Sequence, residues 1–154
     1  MARFRNDFVE VCIFKFMQDH PLYLVLQRGR EEKLYPDIWQ FVAGGIEEGE
    51  SASDAARREM GEETGLDPIA LWVVPHISSF YDPVHDAIQC SPMFGAQVGH
   101  GPEVVLSNEH QASEWLTFEK TIERLVWEGQ REGLTIFHQF IVRGREAMTL
   151  TRIF

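Results

Sequence analysis

A chain of 154 residues with 44% hydrophobic content has room for one domain with an adequate core, residues 1–154, and none for a second. With 24 acidic against 14 basic residues its formal net charge is −10, which repels nucleic-acid backbones and anionic membranes and excludes binding to a phosphate polymer. The two cysteines, Cys12 and Cys90, have no CxxC spacing, so neither a disulfide framework nor a zinc site is expected, and both read as buried core thiols.

The opening MARFRNDF leads into an alternating strand rather than an apolar signal core. Phe8 to Phe16 and Leu22 to Gln27 are β-rich runs around the turn Gln18-Asp19-His20-Pro21, a predicted hairpin. A short strand over Ile38 to Val42 feeds a Gly44-Gly45 loop and then an acidic helix. Ile69 to Tyr81 and Ala87 to Val98 are apolar strand candidates, joined through the turn-forming Asp82-Pro83. The longest purely apolar run, Ile69 to Val74, is too short to span a bilayer, and the expectation is a cytoplasmic protein with no membrane partner. A polar segment follows from Gly99 to Ser113, its Gly99-His100-Gly101 reading as a surface turn. A short strand at Glu114 to Leu116, a helical pattern at Phe118, Ile122, Leu125 and Val126, and a helix over Gln130 to Val142 ended by Gly144 complete the chain. Mixed strands and helices of this order predict an α/β fold, a sheet flanked by helices on both faces.

The chemistry is concentrated between Gly44 and Leu66. Gly44 is followed after five residues by Glu50, and after seven more by Arg58, Glu59 and the apolar Met60; then come Glu62, Glu63, Gly65 and Leu66. Ser51 is a candidate N-cap and Gly65 a candidate C-terminal stop, so a helix of about 13 residues is expected between them. At 100° per residue Ala52, Ala55, Ala56, Glu59 and Glu63 share one face. Small residues let a helix approach a sheet, so this face points inward, and two carboxylates one turn apart on it repel unless a cation lies between them. A hard divalent ion with oxygen ligands meets that need. Arg28 and Arg30 after the second predicted strand are candidates for an anionic substrate, and Trp39, just upstream, for the wall of a base pocket. The six histidines show no ligand spacing and read as structural or exposed.

This spacing fills every position of the Nudix box, and the chain resembles the Nudix hydrolases, which cleave diphosphate linkages in nucleotides with the help of magnesium. The resemblance implies the Nudix α/β/α sandwich with a mixed sheet over nearly the whole chain. It implies a Mg²⁺ site, with Mn²⁺ as a substitute, formed by the main-chain carbonyl of Ala43 or Gly44 with Glu59, Glu63 and Glu62, and places Glu59 and Glu62 among the catalytic groups. Glu50 and Arg58, with Gly44 and Gly65, are implied to support the box. Glu109, in Ser107-Asn108-Glu109-His110-Gln111, stands where such enzymes often carry an extra glutamate as metal ligand or general base, so whether Glu59 or Glu109 is the base stays open. The flanking Asp37-Ile38-Trp39-Gln40-Phe41 and Leu125-Val126-Trp127-Glu128 with Arg131 are similar to the dATP and dihydroneopterin triphosphate pyrophosphohydrolases of bacteria. A nucleoside triphosphate cut to monophosphate and pyrophosphate is therefore the expected reaction. Tyr81 and Pro83 lie where diadenosine polyphosphate and ADP-ribose enzymes carry a marker residue, which keeps dinucleoside polyphosphate hydrolysis as the alternative and Tyr81 as a substrate-binding candidate. A silent nucleotide-sensing domain is a third class, disfavoured because all four box glutamates are retained. The expected partner is a small nucleotide; the oligomeric state, homodimer included, stays open.

Overall fold

Alternation along one central strand sets the layers. In the computed structural model, which describes residues 1–144 and 146–154, strand β2 (Phe8–Met17) sends Val9, Val11 and Ile13 into one core and Cys12 and Phe14 into the other. The strand is apolar on both faces because both faces are covered. β2 turns into β3 (His20–Arg28) through Gln18 and Asp19, both left-handed (φ 49° and 65°), which suits a two-residue hairpin to the strand twist. The loop is thus two residues shorter than the predicted turn, and His20 and Pro21 already belong to the strand.

The eight-stranded sheet is mixed. β7 (Ala87–Gln97) runs parallel to β2 and to β1 (Arg3–Arg5), and antiparallel to β6 (Ala70–Asp82). β3 pairs antiparallel with β2, with β4 (Trp39–Gln40) and with β8 (His110–Leu116), while β5 (Val42–Gly45) pairs with β2. Helix α1 (Ala52–Thr64) covers one face, where Ala55, Ala56 and Met60 pack on Val11, Leu26, Val42 and Phe94. On the other face α2 (Phe118–Arg124) and α3 (Glu128–Arg143) bring Leu125, Leu134, Phe137 and Ile141 against Phe14, Phe41, Trp72 and Met93. This is the α/β/α sandwich expected, with a short α4 (Glu146–Leu150) beyond it. No helix among the described residues is long and apolar enough to cross a membrane.

Several boundaries differ from the sequence reading. The Gly44-Gly45 loop is strand β5, and β8 starts at His110 rather than Glu114. Helix α2 stops at Arg124, leaving Leu125 and Val126 extended, because the Val126 N–H bonds the Trp39 carbonyl at the free edge of β4. Cys12 is buried, but Cys90 is only half-buried. Even-numbered β7 residues face the α1 side, and Cys90 there lines a cleft of about 590 Å³ with Asn6, Asp7, Ile46 and Glu50.

Candidate active site

Helix α1 has the ends its sequence encodes. The Ser51 hydroxyl accepts the Asp54 N–H at 3.1 Å, and Gly65 closes the helix at φ 69° with its N–H on the Gly61 carbonyl. A side chain at Gly65 would also press on Val105, whose N–H bonds the Thr64 carbonyl, so the loop before β8 lies over the end of α1. At the other end Arg58 holds the strand-to-helix loop. Its Nε and Nη2 each sit 2.9 Å from a different oxygen of Glu50, and Nη2 also donates to the Gly45 carbonyl at 2.7 Å. This bidentate fork lowers the Glu50 pKa from its ordinary range and locks α1 to β5. Nη1 reaches Glu59 at 2.8 Å and Glu62 at 3.3 Å. The Glu62 residue is exposed, on the outer flank of the helix.

Glu59 and Glu63, one turn apart, face the strand. Gly44 is the point of contact: a Cβ there would fall 2.0 Å from the Glu59 carboxyl carbon, so only glycine lets strand and carboxylate approach this closely. Glu63 is 4% exposed and its Oε2 has no hydrogen-bond partner. Burial, then the charges of Glu109 and Glu59, push its pKa up to about 9, against a smaller pull from Arg28 and the Ala43 N–H. N–H and C=O of one strand residue point to the same edge, so the Ala43 carbonyl also faces this side. Glu59 is raised as well, by burial first, with Arg58 opposing and Glu62 and Glu109 adding to it. The Glu109 residue is exposed in the loop, and its carbonyl accepts the Gly29 N–H at 2.8 Å, which ties that loop to the end of β3. Glu59, Glu63 and Glu109 thus share one electrostatic site although Glu109 lies far away in sequence.

His110 was not singled out by the sequence. It is buried, with Nε2 3.9 Å from Glu63 Oε2 and neither ring nitrogen hydrogen-bonded. Burial, then the nearby Arg28 charge, bring its pKa down to about 4, so it faces Glu63 as a neutral ring at pH 7. Its only sequence signal is its place beside Glu109.

A divalent cation fits these residues. The donors are hard oxygens, Glu63 offers a buried oxygen with no partner, and like charges crowd a site floored by glycine. In this conformation no three His, Cys, Asp or Glu groups among the described residues converge as a ready ligand cluster, and Arg58 holds one Glu59 oxygen. Glu59, Glu63 and Glu109, with the Ala43 or Gly44 carbonyl, are the groups that would hold the ion.

The substrate candidates are distributed unevenly. Arg28 is electrostatically coupled to Glu63 and His110, while its guanidinium holds the following loop through the Leu34 carbonyl (3.0 Å) and Glu32 (3.2 Å). Arg30 is exposed beside Asp37 at 3.7 Å. Trp39 is half-buried on the α3 side under the Arg124 guanidinium, 4.6 Å from the ring centre. Tyr81 sits in the exposed β6–β7 hairpin with its hydroxyl on Asp86, and the structure gives it no contact with the box glutamates among the described residues.

The model of the NUDIX domain matches residues 7–135, a stretch that takes in the glycine floor, α1 and the loop carrying Glu109. The chain belongs to the NUDIX family. Among curated proteins this NUDIX chain is similar to an octanoyltransferase of Myxococcus xanthus, 34% identical over 110 residues, which is 71% of this chain and 30% of that protein. It is 44% identical over 62 residues to the dihydroneopterin triphosphate diphosphatase of Escherichia coli K12, covering 40% of this chain and 39% of that protein. The chain therefore spans between 30% and 39% of the length of these relatives. The solved E. coli dihydroneopterin triphosphate pyrophosphohydrolase matches with a TM-score of 0.71 and 25% identity, over 93% of this chain and 99% of that one.

Proposed function

We propose that this NUDIX chain hydrolyses a diphosphate linkage in a nucleoside or pterin triphosphate, giving the monophosphate and pyrophosphate with Mg²⁺, or Mn²⁺ in its place. The observation that carries this reading is the buried Glu63 carboxylate, without a partner at Oε2 and crowded by Glu59 and Glu109. Such a group is costly unless a cation accompanies it. When bound, the ion neutralises charge on the phosphate oxygens and makes bound water more acidic. Glu63 and Glu59, beside Gly44, would hold it; Glu59 or Glu109 would take the proton of the attacking water; Arg58 keeps the loop and helix aligned through Glu50. Arg28 supplies positive potential beside the phosphates, and Trp39 and Tyr81 are the remaining substrate-binding candidates. Likeness to a relative that acts on dihydroneopterin triphosphate supports the choice of substrate class. The substrate is a small molecule, and the setting proposed for it is cytoplasmic.

The test is turnover of dGTP, dATP, dihydroneopterin triphosphate and diadenosine tetraphosphate with and without Mg²⁺, products resolved by ion-exchange chromatography. Metal-dependent release of monophosphate and pyrophosphate is expected. Orthophosphate and a diphosphate as sole initial products would reject the assigned bond, and much higher kcat/KM for diadenosine tetraphosphate would move the chain to the dinucleoside polyphosphate class.

A further inference from the structure

Gln40 is 7% exposed in β4, pairs with Leu26 across the β3–β4 ladder and lies two residues before Val42. Cross-strand partners share a face, as do strand residues two apart. Leu26 and Val42 both belong to the core under α1, so the Gln40 side chain lies on the α1 face, the face of the carboxylates. Ser113 of β8, which pairs with Leu26 from the other side, continues the same row.

The Gln40 amide has one orientation. The Trp127 indole Nε1–H donates to Gln40 Oε1 at 3.1 Å, and an indole N–H can only donate, so the oxygen must face it. The amide nitrogen is left at the opposite end. It has no hydrogen-bond partner among the described residues and is absent from the polar atoms sealed without one, so it opens to solvent. Tyr35 meets the Trp127 ring edge-to-face at 4.9 Å, adding a second aromatic surface. Its loop is held rigidly: Tyr35 and Asp37 are left-handed (φ 52° and 64°), Gln27 donates to the Asp37 carbonyl, and Gln111 donates to the Asp37 carboxylate at 2.6 Å. Gln40 and Gly44 are about 13 Å apart along an extended chain, a span covered by a heterocycle, its sugar or side chain, and the first phosphates.

We propose that Gln40, with its amide fixed by Trp127, reads the heterocycle of the substrate and selects a ring presenting an oxo acceptor, as in a 6-oxopurine or 4-oxopterin, over a 6-aminopurine. The proposal rests on the triphosphate-hydrolase reading given above. Because the free end of the fixed Gln40 amide presents only N–H donors, an oxo group is satisfied there, whereas an exocyclic amino group would meet donor with donor. Trp127 and Tyr35 provide faces on which any flat ring can stack, so the discrimination falls to the amide.

The test measures kcat/KM for dGTP and dATP with Mg²⁺ in the full chain, and calorimetric binding of guanosine and adenosine without metal. Wild type should favour dGTP by about tenfold or more, as for one hydrogen bond gained against one left unmade. Gln40→Glu, an acceptor only, should invert that ratio. Trp127→Phe keeps the aromatic packing but frees the amide to rotate, so the dGTP:dATP ratio of kcat/KM should fall towards one, read as a lower KM for dATP relative to that for dGTP. Equal or dATP-favouring turnover in wild type, or an unchanged ratio in folded Trp127→Phe, overturns the proposal. If wild type hydrolyses neither triphosphate, the hydrolase reading fails by itself. Guanosine bound more tightly than adenosine, with the preference lost in Trp127→Phe, would still uphold the Gln40 assignment, and equal or absent binding would sink it.

Discussion

Glu63 is the residue where stability and proposed function oppose each other. Its carboxyl pKa stands near 9, far above the ordinary value of 4.5, so between those limits the folded metal-free chain holds a proton that the unfolded chain has released. Stability of the metal-free protein is therefore greatest below about pH 4.5 as far as this group is concerned, and falls as pH rises towards 9. Glu63→Gln removes the titrating group but keeps the shape. It is expected to raise metal-free stability at pH 8 by about 1–3 kcal/mol, because folding no longer requires this group to take up a proton. It should also abolish stabilisation by Mg²⁺ and lower kcat by at least about 10²-fold. Urea denaturation with and without the ion, beside steady-state kinetics, checks all three; wild-type turnover in this variant would remove Glu63 from the ion site. Glu59 and Glu109 are separated by a different measurement. If Glu109 is the base, Glu109→Gln lowers kcat by about 10²-fold or more with an unchanged Mg²⁺ requirement, whereas loss of a ligand raises that requirement. Magnesium titration of turnover for Glu59→Gln and Glu109→Gln, side by side, assigns the role.

At the scale of elements, the join between β5 and α1 depends on one side chain. Arg58 places two nitrogens on Glu50 and one of them also on the Gly45 carbonyl, a pattern that the single ammonium of lysine cannot reproduce. Arg58→Lys keeps the charge and should still cost roughly 1–2 kcal/mol, with kcat falling because Glu59 loses its alignment. A chemical-denaturation midpoint equal to wild type would show that the fork is dispensable. This join was legible beforehand, since the Ser51 and Gly65 signals give the 13-residue helix Ala52–Thr64, and the resemblance to the Nudix box, with their opposite charges, implies that Glu50 and Arg58 pair. What could not be read has local physical causes. β8 begins at His110 inside a polar run because its pairing with Arg28 is set by β3, and the burial of His110 comes from tertiary cover rather than periodicity. α2 ends at Arg124 although Leu125 and Val126 continue the apolar pattern, because the chain there is captured by the edge of β4. Cys90 sits in an apolar run, yet its side of β7 opens on a cleft.

The whole molecule has two cores on opposite faces of one sheet, and two glycines show how differently they are used. On the α1 side, a Cβ at Gly44 would meet the end of the Glu59 side chain, a flexible group that can turn aside. On the α3 side, a Cβ at Gly95 would fall 2.1 Å from the Phe137 ring, itself fully buried against Phe14 and Trp72 and unable to yield. Equal intrusions therefore have unequal consequences. Gly95→Ala forces α3 and its aromatic cluster away from the sheet and is expected to cost about 1–3 kcal/mol, the usual penalty of overpacking. The kcat of the remaining folded protein should change little, because the carboxylates lie on the other face, whereas KM should shift through Trp127 at the start of α3. Gly44→Ala should cost less stability but displace Glu59 from its place beside Glu63, so that kcat falls by about 10²-fold or more and the Mg²⁺ requirement rises. Thermal unfolding and Mg²⁺-dependent turnover of both variants make the comparison. If Gly95→Ala lost kcat in proportion to Gly44→Ala at a temperature where both remain folded, the two faces would be mechanically coupled through β2 and β7, and the confinement of the chemical step to the α1 face would be wrong.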